Sequence, residues 1–267
     1  MEQIRKRAAE LLTSQAVQVV IGHGVGLNDS RRALFVRHPE QTGQLIVDDR
    51  CQQNLAFYLL KPEIRKMGKA ALIATLPEWR TVIQLAAENQ LSEDQVKVLG
   101  VAADGRLIDF ATFRQIEEAI AASDLELPTT DKERLEIIEK MSASERWSFW
   151  QKQLEPCFKC YACRAACPLC YCTVCTVECN QPQWIPVPAH ALGNLEWHIM
   201  RAMHLAGRCV NCGACARACP LKIPLNLLTM KLGEEIKRLY GLRAGSAVKQ
   251  EYVLSTFRPD DKDTFIG

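Results

Sequence analysis

Apolar residues recur at helical spacing over residues 3–14, placing Ile4, Ala8, Leu11 and Leu12 on one face of a first helix. The pattern then changes to the β-branched run AVQVVIGHGVG, which reads as a strand ending in a turn built on Gly22, Gly24 and Gly26. Leu27 to Arg32 is loop-like, and RALFVRHP reads as a second strand. Residues 53–67 have a helical pattern restarted at Lys61-Pro62, followed by the apolar strand KAALIAT. Thr75-Leu-Pro-Glu78 is a capping box that opens a helix running to about Asn89. A further strand, VKVLGVAAD, and a helix capped by Thr112 with Gln115 complete this half. Strands alternating with helices predict a small parallel α/β sheet covered on both faces.

Beyond the proline-containing segment 124–131 the strand pattern stops. Capping boxes at Thr130–Glu133 and Ser142–Glu145 predict two short helices, the second carrying Trp147 and Trp150 toward a packing surface. Helical patterns return at 193–207, with His198 and His204, and at 223–241, stopped by Gly241. Neither histidine has a neighbouring nucleophile, and both read as interface or supporting residues. Residues 242–267 have little periodicity and read as a tail, mobile or lying along a partner. The expected organisation is an α/β docking domain at 1–125, a helical linker at 126–155, a mostly α, loop-rich cysteine domain at 156–232, and a helix end and tail at 233–267.

Composition narrows the function classes. The 267 residues are 48% hydrophobic, and 33 basic against 31 acidic side chains leave a net charge of +2. Such a balance does not suggest nucleic acid or an acidic membrane surface as partner. No apolar run has the length of a membrane span, and the amphipathic start is not a signal peptide, so a cytoplasmic protein is expected. Gly22, Gly24 and Gly26 do not have the spacing of a dinucleotide fingerprint. No Ser–His–acid set, metal-hydrolase motif or Walker loop is present in the sequence.

The chemistry lies in the cysteines: twelve of thirteen fall between Cys157 and Cys219, and Cys51 alone reads as a small buried hydrophobe. Cys157, Cys160, Cys163 and Cys167-Pro168 repeat in spacing at Cys209, Cys212, Cys215 and Cys219-Pro220. Each is the run by which bacterial-type ferredoxins hold a 4Fe–4S cluster, with the fourth cysteine serving the other cluster. That rule assigns Cys157, Cys160, Cys163 and Cys219 to one cluster, and Cys209, Cys212, Cys215 and Cys167 to the second. A pair of structural zinc sites is the alternative, although zinc ribbons usually supply two cysteine pairs. Cys170, Cys172, Cys175 and Cys179 form a further set, for which a third iron–sulfur cluster, structural zinc and free reactive thiols are the three readings. Lys159, Arg164, Arg201, Arg208 and Arg217 make this stretch basic, either to offset anionic clusters or to dock a partner.

Two stretches also carry a resemblance. VVIGHGVG, NLAFYLLKPEIRKMGKAALIA and LAAENQLSEDQVKVLGV are similar to the N-terminal domain of the deazaflavin-coenzyme hydrogenase/dehydrogenase beta-subunit family. CFKCYACRAACPLCYC and HLAGRCVNCGACARACPLKIPL resemble the dicluster ferredoxin part of subunits associated with heterodisulfide-reductase-like complexes. Relatives carry a Gly-Cys-Asp-x-Arg element after the middle strand and another cysteine after the next. Here Thr75–Arg80 and Val101–Gly105 stand there, keeping only Arg80. The resemblance implies a non-catalytic electron-transfer subunit of an oxidoreductase complex. It would pass single electrons between a hydrogenase or formate dehydrogenase and a flavin-containing, heterodisulfide-reductase-like partner. The rival is a flavin- or deazaflavin-binding reductase with its cofactor near Gly22–Gly26.

Overall fold

The computed structural model describes residues 1–175, 177 and 182–250. A mixed α/β sheet region is followed by a largely helical region. Helix α1 (Glu2–Thr13) buries the four apolar residues of its predicted face. Strands β1 (Val19–Val25), β3 (Ala70–Ala74) and β4 (Val96–Val101) form the parallel centre of a five-stranded sheet. β2 (Arg31–Val36) and β5 (Leu107–Phe110) close the two edges antiparallel, giving the order β2-β1-β3-β4-β5. The sheet is therefore mixed, not parallel. The connections explain the difference. Only a short helical turn separates β1 from β2, and a tight turn with Gly105 at φ +81° joins β4 to β5, so each neighbour must return antiparallel. β5 is a strand the hydropathy pattern does not show, since only Phe110 of its four residues is buried.

The central strands are buried on both faces, as continuous apolar runs require. On one face Val20, Ala71, Ile73 and Leu99 pack with α1. On the other, Val19, Ile21, Leu72 and Val98 pack under α3 (Leu76–Ala87) and α4 (Phe113–Ala121). The segment expected as helix over 53–67 is instead a 3-10 stretch at Leu55–Leu60 and a one-turn helix, α2 (Pro62–Arg65). Pro62 lacks the N–H that would carry the ladder across the junction.

β1 runs through Gly22 and Gly24, so these glycines lie within the strand and not in a turn. A Cβ on Gly22 would come 2.7 Å from Leu45 Cδ2 and 3.0 Å from Ile73 Cδ1, and one on Gly24 would press Leu34. Close side-chain packing accounts for both residues. The flavin-site expectation at Gly22–Gly26 is thereby corrected, because the strand leaves no phosphate-cradling loop.

In the second region, α5 (Thr129–Glu139) starts directly after Pro128, and the expected Thr130–Glu133 box does not form. α6 (Ala143–Leu154) does use its box, with Ser142 N donating to Glu145 Oε2 at 2.7 Å. α8 (Ala191–His204) and α10 (Leu225–Tyr240) pack on each other, and Gly241 ends α10 at φ +70°. Residues 242–250, expected as a tail, fold back on the sheet region. Arg243 donates to Leu125 O, Gly245 N to Gln84 Oε1, and Val248 N to Glu117 Oε1. The rest of that tail, 251–267, lies outside the described residues. Among the described residues no helix is long and apolar enough to cross a membrane.

Candidate thiol site between the sheet and the helices

The two cysteine motifs fold into the same loop. In each, the second residue after the first cysteine (Lys159, Asn211) and the residue after the second cysteine (Tyr161, Gly213) adopt positive φ, between 54° and 71°. Each loop then enters a one-turn helix, α7 (Ala162–Ala165) or α9 (Ala214–Arg217), and these two helices pack on each other. Three of the four left-handed residues are not glycine, so the surrounding loop must hold each in a conformation costing about 1–2 kcal/mol. Equal spacing thus yields equal backbone.

The thiols divide between two apolar clusters. Cys163 belongs to the one formed by Leu154, Leu195, Trp197 and Ile223, and Cys157, Cys175, Cys215 and Cys219 pack against it. Cys167, Cys170, Cys209 and Cys212 pack against the core of the sheet region. Cys160 and Cys172 are exposed, and Cys179 lies outside the described residues. Cys51 is half-buried near Asp48, and burial pushes its pKa up to about 11.

Metal ligation at these positions is overturned. Among the described residues no group of three or more His, Cys, Asp or Glu side chains is placed so that it could hold a metal ion. This corrects the two 4Fe–4S clusters at Cys157, Cys160, Cys163 and Cys219 and at Cys209, Cys212, Cys215 and Cys167. It corrects equally the third cluster, or zinc, at Cys170, Cys172 and Cys175. The physical reason is visible in the thiols themselves. Ligation needs thiolates converging on one point. Instead the thiols divide between two apolar clusters, and Cys160 and Cys172 face solvent. The single-electron relay and the ferredoxin-type resemblance that rested on those clusters fall with them. No protein-family description matches the chain, and no curated protein is significantly similar to it.

Cys167 and Cys170 behave differently from the other thiols. They close one turn, with Cys170 N donating to Cys167 O at 3.2 Å. A hydrogen bond from the Cys167 thiol lowers the Cys170 pKa to about 6 against burial, with Arg201 and Arg208 assisting. The same bond, then burial, raises Cys167. Arg201 comes from α8 and is itself buried, donating to Cys163 O at 3.0 Å with its Nε unpartnered. Burial opposes its charge, yet the sulfurs of Cys170, Cys167, Cys163 and Cys215 around it raise its pKa. Arg201 is therefore the counter-charge of the thiol set. Lys159 is also buried, bonding to Pro186 O and Pro188 O. These two basic residues bond to carbonyls of the interior.

Residues the sequence reading passed over build the junction. Along α3 and its cap, Arg80, Gln84 and Glu88 stand at i, i+4 and i+8, one face of a helix. Arg80 donates to Val210 O at 2.9 Å and Ala244 O at 2.7 Å. Gln84 accepts from Gly245 N at 2.7 Å. Glu88 accepts from Arg208 Nε at 2.8 Å and from Tyr171 OH at 2.6 Å. A polar stripe at this spacing on an otherwise apolar helix was the available signal. In the helical region Asn194 donates to Glu155 O at 3.0 Å and Cys157 O at 2.6 Å, and His198 Nε2 lies 3.3 Å from Cys157 Sγ. Burial, then Arg201 and Lys159, lowers the His198 pKa to about 4.

Proposed function

We propose that the chain is a thiol-bearing subunit of a redox complex, acting by thiol–disulfide exchange at Cys167 and Cys170. The observation that carries this reading is the pair itself: a Cys-Pro-Leu-Cys turn closed by Cys170 N donating to Cys167 O, beside a buried arginine. A C-x-x-C pair with an adjacent cation favours the thiolate, which is the attacking species. The turn brings the two Cα atoms to less than about 7 Å, close to the separation a disulfide bridges.

In the forward direction the Cys170 thiolate attacks one sulfur of a disulfide on a partner subunit. That S–S bond breaks, the far sulfur leaves as a thiolate, and a mixed disulfide forms. The leaving thiolate takes the Cys167 proton. Cys167 then attacks the Cys170 sulfur and releases the second partner sulfur, which is protonated by solvent. The partner disulfide is reduced to two thiols while Cys167 and Cys170 are oxidised to a disulfide. A dithiol on another subunit resets the pair by the reverse exchange. The chain serves other protein subunits and has no small-molecule turnover of its own. The reducing cytoplasm suits a chain whose described cysteines form no disulfide.

The test is alkylation of anaerobically purified protein with iodoacetamide from pH 4 to 9, read cysteine by cysteine by mass spectrometry. Cys170 should react with a midpoint near pH 6, and Cys167→Ala, which removes the donor, should move that midpoint upward. Cys170 unreactive below pH 8 would refute the reading. Stoichiometric iron and acid-labile sulfide in the same sample would also overturn it, by showing the thiols to be otherwise engaged.

A further inference from the structure

A cleft of about 870 Å³ opens at the carboxyl ends of β3 and β4. Its position follows from the topology. In open α/β sheets the loops leaving the carboxyl ends of parallel strands diverge, and the crevice between them is where ligands bind. Its volume lies within the range of small-molecule sites.

The lining decides what kind of ligand fits. Leu76, Trp79, Val101, Ile108 and Ala119 give an apolar floor. The Trp79 indole is held edge-on to Phe110, with ring centroids 5.2 Å apart, and its N–H is already spent on Ala74 O at 2.7 Å. The charged side chains lining the cleft, among the described residues, are Asp48, Asp49 and Asp124. Arg31 neutralises Asp48 with two bonds at 2.8 and 2.6 Å, which leaves Asp49 and Asp124 exposed at the edge.

An anion is disfavoured for a second reason. The amino end of α3 points into this cleft and could bind a phosphate, but a carboxylate of the chain already occupies it. Glu78 Oε2 accepts from Thr75 N at 3.0 Å and from Thr75 Oγ1 at 2.5 Å, and Pro77 removes another donor. The cleft therefore combines an apolar, partly aromatic floor with negative charge at its rim, and among the described residues no basic side chain lines it.

We propose that this cleft binds a small organic cation, an apolar or aromatic body carrying one amine. The body would lie on Trp79 and Ile108, and the ammonium group would face Asp49 and Asp124. This proposal is independent of thiol exchange, since none of the cysteines lines the cleft.

Calorimetric titration of the full chain with phenethylamine, benzyl alcohol and 3-phenylpropionate tests it. These share an aromatic body and differ in charge. Phenethylamine should bind at least fivefold more tightly than benzyl alcohol, and phenylpropionate should bind most weakly. Asp49→Asn with Asp124→Asn should weaken the amine about three- to tenfold, because each exposed carboxylate contributes only a modest attraction. Both sites are exposed, so the variant should melt like the parent. Ala122→Trp, which fills the cleft from an exposed position, should abolish binding. Equal affinity for amine and alcohol, binding that survives Ala122→Trp, or no binding of phenethylamine at millimolar concentration would each overturn the proposal.

Discussion

Glu88 is the place to break the junction between sheet and helices. Its side chain is 7% exposed and faces an Arg208 side chain that is 24% exposed. The carboxylate takes two bonds from that guanidinium, at 2.8 and 2.5 Å, one from Tyr171 OH at 2.6 Å and one from Gln84 Nε2 at 2.8 Å. Glu88→Ala would take the acceptor from Arg208 Nε and from the phenol, leaving the guanidinium its bonds to His204 O and Leu169 O. Charge-assisted bonds are worth about 1.5–3 kcal/mol each, but bonds sharing one acceptor do not add. Removing one partner of a buried pair costs about 3–5 kcal/mol, and the quarter exposure of Arg208 lets water recover part of it. The expected loss is about 3 kcal/mol. Unfolding entropy near 2.1 cal/mol/K per residue gives about 0.55 kcal/mol/K for a chain of this length, so Tm should fall by about 5 °C. Glu88→Gln keeps the shape and two neutral bonds and should lose about half as much. In scanning calorimetry, a double-mutant cycle with Arg208→Met should return a coupling near 2 kcal/mol. A Tm change below about 1 °C for Glu88→Ala, or strict additivity in the cycle, would refute the assignment of this contact as the clasp.

Other outcomes follow from single residues. His198 has a folded pKa near 4 against about 6.5 unfolded, so only the unfolded chain takes up the proton as pH falls through that window. Stability should drop by up to about 3 kcal/mol between pH 6.5 and 4, and His198→Gln should flatten that part of a urea-unfolding pH series. Gly245 sits at φ +66° with its missing Cβ directed onto the Arg80 carbonyl. Gly245→Ala should therefore cost about 2 kcal/mol or more, against about 1 for Gly105→Ala at φ +81° with open space around it. Equal melting temperatures for the two variants would show that the Arg80 contact does not matter.

What the sequence determined by itself is local. The α1 face, the apolar centres of β1, β3 and β4, the boxes at Thr75 and Ser142 and the stop at Gly241 all depend on residues within a few positions of one another. Periodicity and capping report such things directly. The equal spacing of the two cysteine motifs likewise specified two equal loops, because turn conformation is set within the loop. Three-dimensional packing decided the rest. The antiparallel edges depend on connection length and on which strand finds a free neighbour. Gly22 and Gly24 read as a turn in one dimension, and became strand because Leu45, Ile73 and Leu34, remote in sequence, fill the space a Cβ would take. Spacing named the cysteines, but whether sulfurs converge and keep or lose their protons depends on burial and on charges from elsewhere. Arg201 is 31 residues beyond Cys170 in the chain, and Glu88 is 120 residues from Arg208. Electrostatics acts through distance in space, which no pattern along the chain records.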